Sequence, residues 1–588
     1  MTASINDVKD KAFDYIICGG GTAGLTIAAR LTEDPNVSVL VLEAGQTNIG
    51  DDGILRLSSY GSHFGNPNYA WDFKTTPQAN TGNTCHGWQR GKGLGGSSQI
   101  NFLVHIKPPA EDVDAIERLG NPGWNWKNLQ KYIHRAEGFV PPGKDSWVND
   151  IVELKTADMG TDGPLAIAFP AFTFINAGIP VAPRPYNGQP HGAYLAPSTI
   201  DPKTHTRSYA TTAYYLPNRH RSNLTVLVMA HVNRVVPATD AAEFVAEAVE
   251  FEYEGRTYVV PAKKEVILCA GTLKSPHILE LSGIGNPNLL RKLGITPKVD
   301  LPGVGSNVQE HMVATISFEV RDDVDFQTLD CLADPAIAAK HLELRASGKG
   351  LFTNGIVNFA FATLGQISSK ANAIIEATED KVNRMSCDYP PGILEQHKIT
   401  IERLKNGVGC EFIALPAMAS RPNPPEAGKR YITLYSAMNH TMSRGTIHTA
   451  SKDASVEPHF DPRYFEEEVD LQVFLEMVKF SRSLASVAPL KDMIVKELNP
   501  GPDVQSDEAL VDWLKQTFTT TWHTAGSCSM LPKVSGGVVD PELKVYGAKN
   551  LRVVDLSILP LHVACHTQAV VYGIAEQASD IIKGAYKP

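Results

Sequence analysis

The stretch Asp14-Tyr-Ile-Ile-Cys-Gly-Gly-Gly-Thr-Ala-Gly-Leu25, followed by Val39-Leu-Val-Leu-Glu43, constrains this chain more than any other. It reads as a buried strand, a glycine turn, a helix, a second strand and an acid at that strand's end. Gly19, Gly21 and Gly24 fit G-x-G-x-x-G: one glycine for the tight turn, one for close approach of a pyrophosphate, one for close helix–strand packing. The helix that follows presents unpaired N–H groups and the positive end of its dipole to phosphate. Glu43 falls about 20 residues further on, where a carboxylate bonds ribose hydroxyls. The pattern predicts a dinucleotide site and leaves NAD and FAD open.

At 588 residues the chain is too long for one simple core. A net charge of −10 leaves no basic footprint, which argues against nucleic acid. The eight cysteines are scattered without C-x-x-C or metal-ligand spacing, and Cys18, Cys269 and Cys565 read as small buried residues. The N-terminus has no apolar signal segment, no run is long enough to span a bilayer, and the C-terminus is not Ser-Lys-Leu. A cytoplasmic protein acting on a small molecule, with no membrane and no nucleic-acid partner, is the expectation. Oligomeric state is not legible.

The dinucleotide texture of the first 45 residues fades into a glycine-rich stretch to about Gly96, read as extended loop over a ligand. The proline-rich run from Gly178 to Gly192 excludes regular helix and central strand. Strand patterns return at Leu224–Met229 and Glu265–Cys269, and the block from about Val320 to Asp507 is mixed. Leu551–Asp555 reads as a strand, and Gln568–Ile582 as a helix with Val571, Ile574, Ala575, Ala578 and Ile582 at helical spacing. The expected fold class is therefore α/β, with one dinucleotide domain assembled from distant segments and interrupted by another.

Two further loops carry chemistry: Gly91-Lys-Gly-Leu-Gly-Gly-Ser-Ser-Gln-Ile-Asn101, and Gly271-Thr-Leu-Lys-Ser-Pro-His-Ile-Leu-Glu-Leu-Ser-Gly-Ile-Gly285. The first offers backbone N–H groups and hydroxyls to phosphate. In the second, Ser275-Pro276 opens a short helix. Together with the N-terminal fingerprint, Gly303-Val-Gly-Ser-Asn-Val-Gln-Glu-His311 and Asp555-Leu-Ser-Ile-Leu-Pro560, these loops resemble the glucose–methanol–choline (GMC) oxidoreductases over nearly the whole chain.

That resemblance implies a Rossmann-like FAD-binding domain from residues 1–165, 206–325 and 511–588, and an α+β substrate domain with an antiparallel sheet from 166–205 and 326–510. It implies that Gly19, Gly21, Thr22, Ala23, Gly24, Glu43 and Ala44 hold the ADP part, and that Gly95, Gly96, Ser97 and Asn101 lie along the pyrophosphate and flavin. Val232 would face the adenine. Ala270 and Gly271 would also touch the cofactor, and Asp555, Leu556 and Gln568 would lie near the ribityl chain and isoalloxazine. Some relatives attach FAD through a histidine just before the loop asparagine; Ile100 stands there, so FAD is expected to be noncovalent.

The catalytic histidines of the family fall on His523, in Thr521-Trp-His-Thr-Ala-Gly, and on His566, in Ala564-Cys-His-Thr-Gln568. Neutral imidazole accepts a hydroxyl proton at working pH, so His523 is the expected base and His566 the group that holds the substrate oxygen. Trp522 reads either as a core aromatic or as a flat pocket wall. Aryl-alcohol and hydroxymethylfurfural oxidases have an aromatic there, which points to an aromatic, furanic or allylic primary alcohol. The C-terminal region also resembles fungal formate oxidase, but that enzyme has arginine at the position of His566. The electron acceptor is O₂ or a quinone or dye. The alternatives are a lyase on the same fold, such as a hydroxynitrile lyase, a dehydrogenase, or a pathway-specific oxidase. No metal site is read.

Overall fold

The computed structural model describes residues 2–57, 59–144, 146–150, 154–170, 181–239, 241–345 and 347–587. Residues 178–180 of the proline-rich run lie outside them. The rest of that run holds the turn Pro185–Asn187 and opens into the edge strand Gly192–Leu195.

Short apolar runs form a parallel sheet in the order Leu224–Leu227, Val39–Leu42, Phe13–Cys18, the end of Arg256–Leu268, and Leu551–Val553. Val39–Leu42 is buried throughout, as expected of a strand covered on both faces. One covering layer packs helix Thr22–Leu31 and helix Trp126–Ala136 against the final helix Gln568–Ile582. A Cβ at Gly573 would come 2.7 Å from Ile133 Cγ1, so glycine sets that helix spacing. The one buried acid here, Glu576, is fully satisfied by Arg30, Arg135 and the Tyr214 hydroxyl, the condition for a buried charge to be tolerated. The first half of Arg256–Leu268 continues into an antiparallel meander with Phe244–Tyr253 and Ala230–Pro237.

A second sheet is antiparallel, in the order Ile494–Asn499, Met312–Val320, Tyr431–Met438, Cys410–Leu415, Asn358–Ala362 and Gly192–Leu195, with Thr519–Thr520 paired to the start of Met312–Val320. Its two faces differ, as period-2 alternation requires. Ala314, Ile316, Phe412 and Leu434 pack on Phe474 and Met477 of helix Glu468–Ser483. Val313, Thr315, Ile413, Leu415 and Tyr435 face a cavity instead. The strand Met312–Val320 precedes the boundary read from sequence at 325/326, yet it belongs to this sheet. Alternation shows that a strand exists but not which sheet takes it.

No helix among the described residues is long and apolar enough to cross a membrane. No group of three or more His, Cys, Asp or Glu among them is arranged to hold a metal ion.

Candidate active site

A cavity of about 530 Å³ runs from the carboxyl end of the parallel sheet to the antiparallel sheet. This is the edge at which open α/β sheets bind ligands. Of the residues singled out in the sequence, Gly19, Gly21, Thr22, Ala23, Glu43, Ala44, Gly96, Ser97, Asn101, Val232, Ala270, Gly271, Trp522, His523, Asp555, Leu556, His566 and Gln568 line it. Gly24 and Gly95 do not; they act from behind the wall. A Cβ on Gly24 would lie 2.0 Å from the Gly19 carbonyl oxygen, and one on Gly95 would lie 2.7 Å from the Tyr209 ring.

The sheet end of the cavity is a main-chain cradle. Helix Thr22–Leu31 starts at Gly21 with no side-chain cap, so its first N–H groups are left for a ligand. A Cβ at Gly21 would meet nothing closer than Gly96 Cα at 3.7 Å, and one at Gly271 would meet nothing within 4 Å. Space has been left at both glycines, as an anionic, elongated ligand requires. Glu43 is more tightly held than a simple ribose acceptor. Its Oε2 takes the Gly20 N–H at 2.8 Å, and its Oε1 takes those of Gly45 at 2.8 Å and Gly93 at 3.1 Å. It ties three loops together, and burial pushes its carboxyl up. Asp555 does the same for the Gly271 loop, accepting from Gly271 N at 3.0 Å and Ser275 Oγ at 2.5 Å. Further along, buried Arg207 donates to Asn101 Oδ1 at 2.6 Å, Asn101 Nδ2 donates to Gln568 Oε1 at 3.0 Å, and Gln568 Nε2 donates to the Val104 carbonyl at 2.6 Å. That chain fixes the two polar side chains at the join of the cavity's halves.

The other half is built from side chains. Because Thr520 pairs with Met312, the segments beyond them emerge side by side and bring His523 against His311. His523 Nδ1 lies 3.0 Å from His311 Nδ1 and 2.9 Å from Thr521 Oγ1. Its Nε2 makes no hydrogen bond among the described residues, and the ring is part-exposed to the cavity. The ring of His566 lies 5.0 Å from that of His523. His566 Nε2–H donates to the buried Glu411 Oε1 at 2.9 Å, while Glu411 Oε2 accepts from Asn439 Nδ2 at 3.0 Å. This anchors the ring of His566 and leaves its Nδ1 without a hydrogen-bond partner among the described residues.

The backbone of His523 is held from both sides. Glu310 Oε1 accepts its N–H at 2.7 Å, and His562 Nε2–H donates to its carbonyl at 2.6 Å. His562 Nδ1 in turn accepts the Val563 N–H at 2.9 Å. With both nitrogens committed, His562 is neutral, and burial draws its pKa down to about 4. The other oxygen of Glu310 accepts from the Thr524 hydroxyl, which Arg90 also contacts. The hold matters because Trp522, immediately before His523, has φ 60°, a left-handed conformation that a bulky residue adopts only where its surroundings impose it. Burial first, then the fields of His566, His562 and Arg90, hold His523 well below the ordinary imidazole range. That environment favours the neutral, proton-accepting form of the ring.

Trp522 is a wall of the cavity. It stacks at 5.9 Å and 5° on Phe102, which stacks at 5.4 Å and 9° on Tyr60, and Phe64 tilts against it at 4.8 Å. Its indole N–H donates to Gln89 Oε1 at 3.1 Å.

The sequence reading assigned no role to His311, His562, Glu310, Arg90 or Glu411. Glu310 and His311 close a motif already quoted, and His562 lies between two others. Glu411 left its own signal: a lone acid in the apolar strand Cys-Glu-Phe-Ile-Ala-Leu needs a buried partner.

Family models described as GMC oxidoreductase match residues 13–313 and 441–575. The chain belongs to the GMC oxidoreductase family. Among curated GMC relatives, it is 34% identical to the GMC oxidoreductase family protein Mala s 12 of Malassezia sympodialis, over 98% of this chain and 93% of the relative. It is 33% identical to the dehydrogenase citC of Monascus ruber, over 99% and 98%. Among solved structures, an FAD-dependent oxidoreductase from Chaetomium thermophilum superposes with a TM-score of 0.89 at 29% identity, covering 97% of this chain and 99% of that one. A fungal aryl-alcohol oxidase gives 0.85 at 27%, covering 97% and 98%. The mixed α/β fold with an antiparallel sheet is the GMC fold.

Proposed function

We propose that this GMC oxidoreductase uses noncovalently bound FAD to oxidise a primary alcohol, with aromatic, furanic or allylic substrates favoured, to the aldehyde. The carrying observation is the pair of imidazoles, His523 and His566, 5.0 Å apart on one wall of a cavity whose opposite end is a main-chain cradle for a dinucleotide. The uncapped helix at Gly21 and the space left at Gly21 and Gly271 suit the ADP and pyrophosphate, and Asn101, Asp555, Leu556 and Gln568 suit the flavin. Ile100 offers no nucleophile for a covalent link.

FAD, when bound, supplies the two-electron acceptor for hydride from the carbinol carbon. His523 Nε2 takes the hydroxyl proton, so the alcohol loses one hydride and one proton and becomes the aldehyde. His566, anchored on Glu411, orients the alcohol beside His523. Trp522 and Phe102 pack an aromatic ring and exclude water. Reoxidation is by O₂ or by a quinone or dye.

The bond to Glu411 supports a second reading, in which His566 takes the proton and His523 orients the oxygen. Reductive half-reactions of His523→Ala and His566→Ala, followed anaerobically at 450 nm, separate them: the base is the residue whose loss gives the larger fall in flavin reduction. If no alcohol of a benzylic, furanic, aliphatic and sugar panel bleaches the bound flavin, alcohol oxidation is wrong, and a lyase on the GMC fold becomes the reading to pursue. A flavin band that survives denaturation would rule out the noncovalent assignment.

A further inference from the structure

Five acidic or basic side chains other than histidine line the cavity: Glu43, Arg90, Lys274, Arg421 and Asp555. Four are committed to protein partners. Glu43 and Asp555 accept from the loops described above. Lys274 Nζ meets Glu457 Oε2 at 2.6 Å, and Arg90 donates to Thr524 beside Glu310 at 3.8 Å. Arg421 differs. Its main-chain carbonyl accepts from Trp513 Nε1 at 3.4 Å, but its guanidinium has no ion pair or hydrogen bond among the described residues. Arg421 is exposed and lines the antiparallel-sheet half of the cavity, with Ala419, Leu415 and Thr517. Its charge also helps to hold His86 down to about 4, after burial.

On the cavity face of the sheet Val313, Tyr435, Ile413 and Leu415 are apolar or aromatic and Thr315 carries a neutral hydroxyl, with Trp522 beside them. Their chemistry suits a ring and gives no purchase on a charged group. An unpaired guanidinium at such a wall is a ready fork for carboxylate. The protein as a whole carries a net charge of −10 and repels anions at long range, so a local cation is what an anionic substrate needs here.

We propose that Arg421 is an anion anchor of the substrate chamber, and that the preferred substrate is an aromatic alcohol bearing a carboxylate at the end remote from its hydroxymethyl group. This rests on the alcohol-oxidation reading above. The carboxylate pairs with the guanidinium while the ring lies along Trp522, Tyr435 and Ile413 and the hydroxymethyl group reaches His523 and His566. A chamber anchored in this way discriminates by ring length and charge, as the wall alone does not.

The test compares 4-(hydroxymethyl)benzoate and the longer 3-[4-(hydroxymethyl)phenyl]propanoate with their methyl esters, in the holoenzyme and in its Arg421→Gln and Arg421→Lys variants. In the wild type, kcat/KM for the better-fitting acid exceeds that of its ester by about tenfold, the worth of one good charge-assisted pair. That ratio falls close to one in Arg421→Gln, is partly kept in Arg421→Lys, and shrinks with added salt. A readout free of turnover accompanies it: terephthalate, which has no alcohol to oxidise, perturbs the flavin spectrum with a dissociation constant about tenfold higher in Arg421→Gln. Acid and ester used equally by the wild type, or terephthalate bound equally by wild type and Arg421→Gln, would overturn the anchor. If none of the alcohols is oxidised while terephthalate binding still depends on Arg421, the anchor stands and the alcohol reading falls.

Discussion

The two halves of the cavity are made in different ways. At the parallel sheet the contacts offered to a ligand are main-chain N–H groups, and the residues that matter are glycines chosen for the side chains they lack. At the antiparallel sheet the contacts are side chains, each held by another side chain from a distant segment: His523 by Glu310 and His562, and His566 by Glu411. A main-chain cradle fails abruptly when a carbon atom is added. A side-chain site degrades by steps, according to how far the altered group stands from the chemistry.

The sharpest test of that contrast is Gly24→Ala against Gly21→Ala. The first places a Cβ 2.0 Å from a carbonyl oxygen, and folded yellow protein should be lost altogether. The second meets only Gly96 Cα at 3.7 Å, so the fold should survive with flavin absorbance reduced or gone. Equal yields of flavin-loaded protein from both would break the distinction.

In the side-chain half, His523→Ala should keep its flavin and its melting temperature while the rate of flavin reduction falls on the order of 10²–10⁴-fold. Unchanged stopped-flow traces would remove His523 from the chemistry.

Stability should follow pH with a definite sign. Burial draws His562 and His86 down to about 4 and His277 and His397 to about 3. Below an unfolded value near 6.5, the unfolded chain takes up protons at these positions and the native protein does not. Each therefore removes up to ~1.4 kcal/mol per pH unit between about 6.5 and its native value. Glu43, Glu310, Asp470 and Asp555, whose carboxyls burial pushes up, act in the opposite sense. The net expectation is a melting temperature that falls from pH 6.5 to pH 5. A flat profile would mean either that the raised carboxyls offset the buried histidines or that those histidines take up protons in the native state.

A step further from the chemistry, His562→Asn should slow flavin reduction about tenfold with little change in KM, because it disturbs the backbone of the proposed base without touching substrate. His562→Gln, which can still reach the His523 carbonyl, should recover part of the loss. A larger effect on KM than on kcat would place His562 in substrate binding instead. The smallest effect is expected of Trp522→Phe. It keeps the stack on Phe102 and loses the bond to Gln89, and kcat/KM for benzylic alcohols should change only a few-fold, the scale of ~1 kcal/mol.

The same division explains what was legible before the structure. Gly19, Gly21, Gly24, the Gly91 loop and the Gly271 loop could be read because a main-chain site is written in contiguous sequence, each glycine having a local reason. His523 and His566 could be singled out by their motifs. Their supports could not, since Glu411 and His566 are 155 residues apart and Glu310 and His523 are 213 apart. The block from Val320 to Asp507 read only as mixed, because alternation does not say which strands pair.

By itself the sequence determined the α/β fold class and the glycine loops, because strand burial and glycine turns act over a few residues, and resemblance to the family's motifs singled out two histidines that the structure places 5.0 Å apart. Tertiary structure alone decided the rest. The pairing of Thr520 with Met312 sets His523 against His311, the row through Glu411 steadies His566, and the fold of the second sheet leaves Arg421 as the cavity's unpaired charge. Those contacts depend on register between distant strands, and register is fixed by which faces are buried when the whole chain packs.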